Sequence, residues 1–207
     1  MAFIRPFRPE DTEDAKHICR ATLPPSLLSS PRATSISPYL WTLPFTHLFS
    51  SHCHILDDGA GRAVGYVIGT PDVFALAAEY PRYVAEVLGS PLGRGEEVNP
   101  EALVQLAYKV EWLVLEGVEG KRELVEEYRA MLHIDLLEPW QGKGWGRKMI
   151  ERFVEGVKGE GKERYGKGIQ LGVAGENTKV VGFYERLGFR VFPGGEREGN
   201  VWMVLDL

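Results

Sequence analysis

The clearest periodicity in the chain lies in residues 145–158. There Trp145, Met149, Ile150, Phe153, Val154 and Val157 recur at i, i+4, i+5, i+8, i+9 and i+12, which lays one apolar stripe along a helix. Shorter apolar or alternating runs at residues 4–6, 52–56, 63–69, 130–137, 169–174 and 201–205 read as strands. In the third of these, Val64, Tyr66 and Ile68 alternate with Gly65 and Val67. Asp57-Asp58-Gly59-Ala60-Gly61 joins the second and third with hairpin chemistry. A first helix is expected from Pro9-Glu10-Asp11-Thr12, whose acids suit the helix dipole, with Ala15, Ile18 and Cys19 as its stripe. Residues 24–38 contain four prolines and many serines and read as a loop. Residues 39–49 are aromatic and apolar, a second short helical region. After Thr70-Pro71-Asp72 the pattern is helical over 73–80, 82–88, 100–110 and 121–128, with a loop at 90–100. The glycines and charges of 159–168 read as a solvated loop.

Composition narrows the class. With 207 residues, 44% of them apolar, the chain can build one large core. No apolar run reaches membrane-spanning length, and the first ten residues have no secretory pattern. Two cysteines, Cys19 and Cys53, make no disulfide framework; they point to a cytoplasmic setting, with the nucleus equally compatible. A net charge of −5 argues against nucleic acid as partner. It leans towards a cationic substrate, although solubility alone accounts for it.

The candidate chemistry sits between the strand at 130–137 and the helix at 145–158. Gln141-Gly142-Lys143-Gly144-Trp145-Gly146-Arg147-Lys148 is glycine-rich and cationic, with no acid before Ile150. Backbone N–H groups at such a turn, with the helix N-terminus behind them, suit a phosphate. Position 147 is Arg, so the dinucleotide pattern G-x-G-x-x-G fails, and no Gly-Lys-Ser/Thr follows, so the P-loop pattern fails as well. Gln141, Gly144 and Gly146 instead satisfy Q/R-x-x-G-x-G/A. Further on, Asn177 stands seven residues before Tyr184, which is followed by Leu187-Gly188-Phe189.

These two motifs, in this order, resemble the signatures of the GNAT (Gcn5-related) N-acetyltransferases. The resemblance is strongest over residues 130–207. Leu132-His133-Ile134-Asp135-Leu136-Leu137 and the middle of the chain also look like the acetyltransferase-like domain of O-GlcNAc hydrolases and its free-standing microbial relatives. The resemblance implies a single α/β (α+β) domain over 1–207: a mixed, mostly antiparallel sheet, helices on both faces, and a helical insertion at about 71–128. That insertion could shape specificity, or serve as packing or a homodimer surface. The resemblance also implies acetyl-CoA (coenzyme A) as cofactor. The reaction would be direct attack, in a ternary complex, by an amine of a small molecule or protein. A non-catalytic acyl-CoA-binding module of the same fold is the alternative.

Carried over residue by residue, the resemblance gives Ile134, Asp135 and Leu136 backbone contacts to pantetheine and the thioester. It gives the pyrophosphate to Gln141, Gly142, Lys143, Gly144, Trp145, Gly146 and Arg147, and the pantetheine arm to Asn177. Tyr184 becomes the general acid at the sulfur. A tyrosine near ~10 and a thiol near ~8.5 differ by roughly 2 kcal/mol, which collapse to an amide can cover. The general base is open. Some members carry Glu five residues before the Asn, and here that position is Gly172. His133 and Asp135 are titratable, two apart, and share a strand face; Asp72 and Glu111 are weaker candidates. His52 and His54 would share a face of the second strand, but no second pair at ligand spacing follows, so no metal is expected.

Overall fold

The computed structural model describes residues 1–89, 121–197 and 200–207. The chain opens with β1 (Phe3–Pro6), a 3₁₀ turn (Pro9–Asp11) and α1 (Thr12–Ala21). Next come α2 (Pro25–Leu28), α3 (Pro31–Trp41), α4 (Leu43–Leu48), β2 (His54–Asp57) and β3 (Ala63–Thr70). Helix α5 (Val73–Tyr83) runs on into a π-helical turn, Val84–Leu88. After α6 (Lys121–Glu127) come β4 (Ala130–Leu136), α7 (Trp145–Gly159), α8 (Lys162–Tyr165) and β5 (Gly168–Ala174). A 3₁₀ segment (Gly175–Val180), α9 (Val181–Glu185), β6 (Arg190–Arg197) and β7 (Asn200–Asp206) complete it.

Seven strands form one sheet in the order β1-β2-β3-β4-β5-β7-β6. Every pairing is antiparallel except β4 with β5, which is parallel. On one face, Ile18, Ile36, Phe45 and Leu76 of α1, α3, α4 and α5 pack with Tyr66, Ile68 and Met131. On the other, Met149, Ile150, Phe153 and Val157 of α7 pack with Val67, Leu132 and Leu171. β3 is buried along its whole length, because helices cover both of its faces.

Three expectations are corrected. Residues 24–38 are mostly helical. Pro25 and Pro31 each occupy a first helical position, where a missing N–H costs nothing. Ser30 caps α3 by accepting from Ala33 N at 3.2 Å, and Ala33, Ile36 and Leu40 give α3 a buried stripe. Pro38 lies inside the helix, and tertiary burial outweighs its penalty. His52 belongs to a 3₁₀ turn, not to β2, so it shares no strand face with His54; its Nε2 lies 3.1 Å from Glu160. The loop expected at 159–168 contains α8, and the edge strand β6 had no counterpart in the sequence pattern. The helix expected at 100–110 and the loop at 90–100 lie outside the described residues.

Candidate active site

The parallel pair β4/β5 separates almost at once. It is held by Ala130↔Ile169 and Met131↔Gln170 only, while β4 stays paired with β3 as far as Leu136. Ile134, Asp135 and Leu136 therefore lie on a stretch with no β5 partner along its second edge. Side chains alternate across this stretch: Met131, His133 and Asp135 face α1 and α4, and Leu132, Ile134 and Leu136 face α7.

The glycine-rich loop leaves the end of β4. Gln141 Nε2 donates to the Leu136 carbonyl at 2.8 Å and so ties the loop to the strand. Gly142 and Gly144 have φ of +70° and +80°, a region costly for any residue with a Cβ. Space is not the reason for glycine there, since a Cβ at either position would meet nothing within 4 Å. Gly146 differs: a Cβ would sit 3.0 Å from Cζ of Phe183. No side chain caps α7, and among the described residues no backbone acceptor takes the N–H groups of 142–147. Lys143, Arg147 and Lys148 are exposed around them. Lys143 and Lys148 lie over the rings of Trp140 and Trp145, at 5.8 and 4.8 Å. Such a helix start favours an anion.

Because β4 and β5 are parallel, the segment after β5 emerges at the same end of the sheet as this loop. It carries Asn177, exposed and non-helical at φ −119°. α9 then packs against the start of α7 through Phe183 and Gly146, and Arg147 Nη2 donates to the Arg186 carbonyl at 3.3 Å. The two sequence motifs, some thirty residues apart in the chain, are thus in contact.

Asp135 lies on the open edge, near enough to Tyr184 for its charge to act on the tyrosine. The Tyr66 hydroxyl donates to Asp135 Oδ2 at 2.6 Å. Burial pushes the Asp135 carboxyl up to about 6, against the opposing contacts of Tyr66 and Thr22. Tyr184 packs on Phe183 and Phe189, ring centroids 5.2 and 5.7 Å away. Burial, reinforced by the Asp135 charge, raises its hydroxyl well above the ordinary tyrosine range. His133, on the same face as Asp135, stacks on Phe45 at 5.2 Å.

The model of the acetyltransferase (GNAT) family matches residues 101–189. A crystal structure named SsHAT is 30% identical to this chain, with a TM-score of 0.80 over 99% of this chain and 98% of that one. The chain belongs to the GNAT acetyltransferase family. Two more distant solved structures share the fold. PH1933 of Pyrococcus horikoshii OT3 is 13% identical over 100% of this chain and 99% of that one, TM-score 0.62. Arabidopsis thaliana NAA60, in complex with acetyl-CoA, is 14% identical over 100% and 99%, TM-score 0.51.

Within this GNAT chain the remaining acid-base candidates separate by position. Asp72 caps α5 by accepting from Phe74 N at 2.9 Å, a structural task. Glu111 lies outside the described residues. Gly172 faces Trp202, whose ring lies 2.8 Å from where a Cβ would stand, so a side chain there would have to push that ring aside. Sequence reasoning missed Tyr66, Thr22, Thr42 and Cys19, which surround the Asp135 carboxylate directly or through Tyr66. Their one visible signal was a tyrosine within a strand otherwise made of small and aliphatic residues. Among the described residues, no helix is long and apolar enough to cross a membrane.

Proposed function

We propose that this GNAT chain is an N-acetyltransferase that moves an acetyl group from acetyl-CoA to an amine by direct attack in a ternary complex. The observation that carries this reading is the Tyr66-bonded Asp135 carboxylate on the unpaired stretch of β4 that leads into the glycine-rich loop, with α9, which carries Tyr184, packed on the start of α7. Acetyl-CoA, when bound, supplies an activated acyl carbon and a thiolate leaving group. Residues 142–147 suit its pyrophosphate, with backbone donors free of internal acceptors and three cations nearby. The unpaired edge at Ile134 and Asp135 suits the pantetheine arm, and Asn177 flanks it.

Asp135 serves as the base and Tyr184 holds a proton towards the sulfur. The raised Asp135 carboxyl fits the first role: at neutral pH it is ionised, yet far more basic than an ordinary aspartate. Taking a proton from an α-ammonium near ~8 is then uphill by roughly 3 kcal/mol, and from a lysine near ~10.4 by roughly 6 kcal/mol. The match favours α-amino acceptors. Tyr184, held above its ordinary range, stays protonated at every working pH. It is a weaker acid than a free tyrosine, so it stabilises the departing thiolate by hydrogen bonding and yields its proton only as the amide forms.

Two measurements test this reading. Acetyl-CoA should raise the melting temperature and NADPH should not; at 100 times Kd the gain is about 2.7 kcal/mol. A flat melt with acetyl-CoA would remove the cofactor assignment. Thiol release should then be followed across peptides with free N-termini, the same peptides N-terminally blocked but carrying lysine, and small amines. Free N-termini should turn over faster at pH 7. Equal or faster acetylation of lysine would overturn the acceptor preference.

A further inference from the structure

The Asp135 carboxylate is held from behind by a chain of neutral hydroxyl groups. Tyr66 stands directly opposite Asp135 in the β3/β4 register and is 1% exposed, at the centre of the sheet. A phenylalanine would fill the same volume, and a buried hydroxyl costs stability unless it is paired. The partner it finds is the carboxylate, at 2.6 Å. Its single proton is committed there, so its oxygen is left to accept. Thr42 Oγ1 lies 3.4 Å from that oxygen, and Cys19 is buried nearby. Thr22 touches the carboxylate as well, but its hydroxyl donates to Ile18 O at 2.8 Å and Cys19 O at 3.2 Å. Donation therefore runs from Thr42 to Tyr66, and from Tyr66 to Asp135, each step polarising the next.

We propose that Tyr66 is a positioning residue for Asp135: its hydroxyl fixes one carboxylate oxygen and leaves the other for the incoming amine. This rests on Asp135 being the base. The choice of a neutral donor has a physical reason. A guanidinium or ammonium at the same place would fix the carboxylate equally well, but would depress its pKa by about 1–3 units and remove its basicity. A tyrosine orders the side chain at a cost of about one unit or less. The other groups near the carboxylate are neutral at pH 7: Thr22 at the end of α1, and, behind Tyr66, Cys19 of α1 and Thr42 before α4; Tyr184 of α9 feels its charge across the open edge. His133 lies two residues away on the same strand face.

The test needs no acceptor. The carboxyl carbons of aspartate are labelled with carbon-13, and the Asp135 signal is identified by its loss in Asp135→Asn. Its titration is then followed in wild type and in Tyr66→Phe. The midpoint should move upward by about one pH unit when the hydroxyl is removed, with CoA affinity unchanged. Thr42→Val, which strips a donor from Tyr66 without touching Asp135, should move it the same way by less. It also serves if Tyr66→Phe fails to fold. An unmoved midpoint in the folded variants overturns the proposal. Failure of the base assignment looks different: Asp135→Asn would turn over like wild type while the titration shifts remained.

Discussion

On the proposed reading, Asp135 stores a conflict between stability and function. Its carboxyl is raised to about 6, chiefly by burial. Because the folded pKa lies above the unfolded one, the protonated form's contribution to stability is complete below the ordinary carboxylate pKa, and is lost as pH rises through about 6. Asp135→Asn should therefore be more stable than wild type at pH 7–8, by on the order of 2 kcal/mol, with the difference vanishing near pH 4. The same variant should lose about 10²-fold or more in kcat. Thermal melts across pH and thiol-release assays read the two effects; an Asn variant that is both less stable and fully active would sink the assignment. Tyr184→Phe keeps the ring packed on Phe183 and Phe189 and deletes the proton. Here kcat should fall about 10²-fold with CoA affinity little changed. A uniform loss of CoA binding would mean that the hydroxyl holds the cofactor.

At the scale of elements, the contact between α7 and α9 is what turns two motifs into one site. Gly146 lets the start of α7 approach Phe183, and a Cβ there already stands at 3.0 Å from the ring. Gly146→Val should push α9 away, destabilise the fold by about 1–3 kcal/mol and weaken acetyl-CoA binding. Urea denaturation and calorimetry would show the two losses together, and unchanged values in both would mean that the helices adjust freely. This contact was half legible. The spacing of Gln141, Gly144 and Gly146 marked the loop, and Asn177 with Tyr184 marked the second segment. That Gly146 answers to Phe183 while Gly142 and Gly144 answer to their own backbone angles was not, because all three read alike as glycine. The helix at 31–41 was hidden in a similar way. Its prolines and serines signal a loop, and only the core beneath Ile36 and Leu40 makes a helix the better solution.

For the molecule as a whole, one buried ion cluster fastens the first strand to its neighbours. Arg5 of β1 makes a two-pronged bond to Asp11, at 2.6 and 2.7 Å, and reaches Asp57 at the end of β2 at 2.8 Å. Burial alone would raise the Asp57 carboxyl; Arg5 and the backbone N–H groups of Gly59 and Gly61 hold it below its ordinary range. A depressed folded pKa contributes stability above the unfolded pKa, and that contribution fades as pH falls through the folded value. Arg5→Met should strand two buried carboxylates and cost about 3–5 kcal/mol at pH 7. The deficit should shrink as pH falls through the range in which Asp57, deprived of Arg5, takes up its proton. Melts of both proteins from pH 3 to 8 check this, and a deficit independent of pH would mean that the loss is one of packing alone.

What the sequence determined by itself was local: strands from alternation, α7 from its stripe, the hairpin at 57–61, and a phosphate-type loop from the spacing of small and cationic residues. Each depends on neighbours in the chain, and neighbours are what a pattern records. What only the tertiary structure decided was which face of β4 meets which helices. That pairing joins Tyr66 to Asp135 across 69 positions of chain. Basicity at Asp135 is a property of what surrounds it, set by burial and by the absence of a cation among its described contacts. No periodicity encodes that, because the groups around it, Tyr66 of β3 and Thr22 at the end of α1, come from distant parts of the chain and become neighbours only when the sheet and helices close.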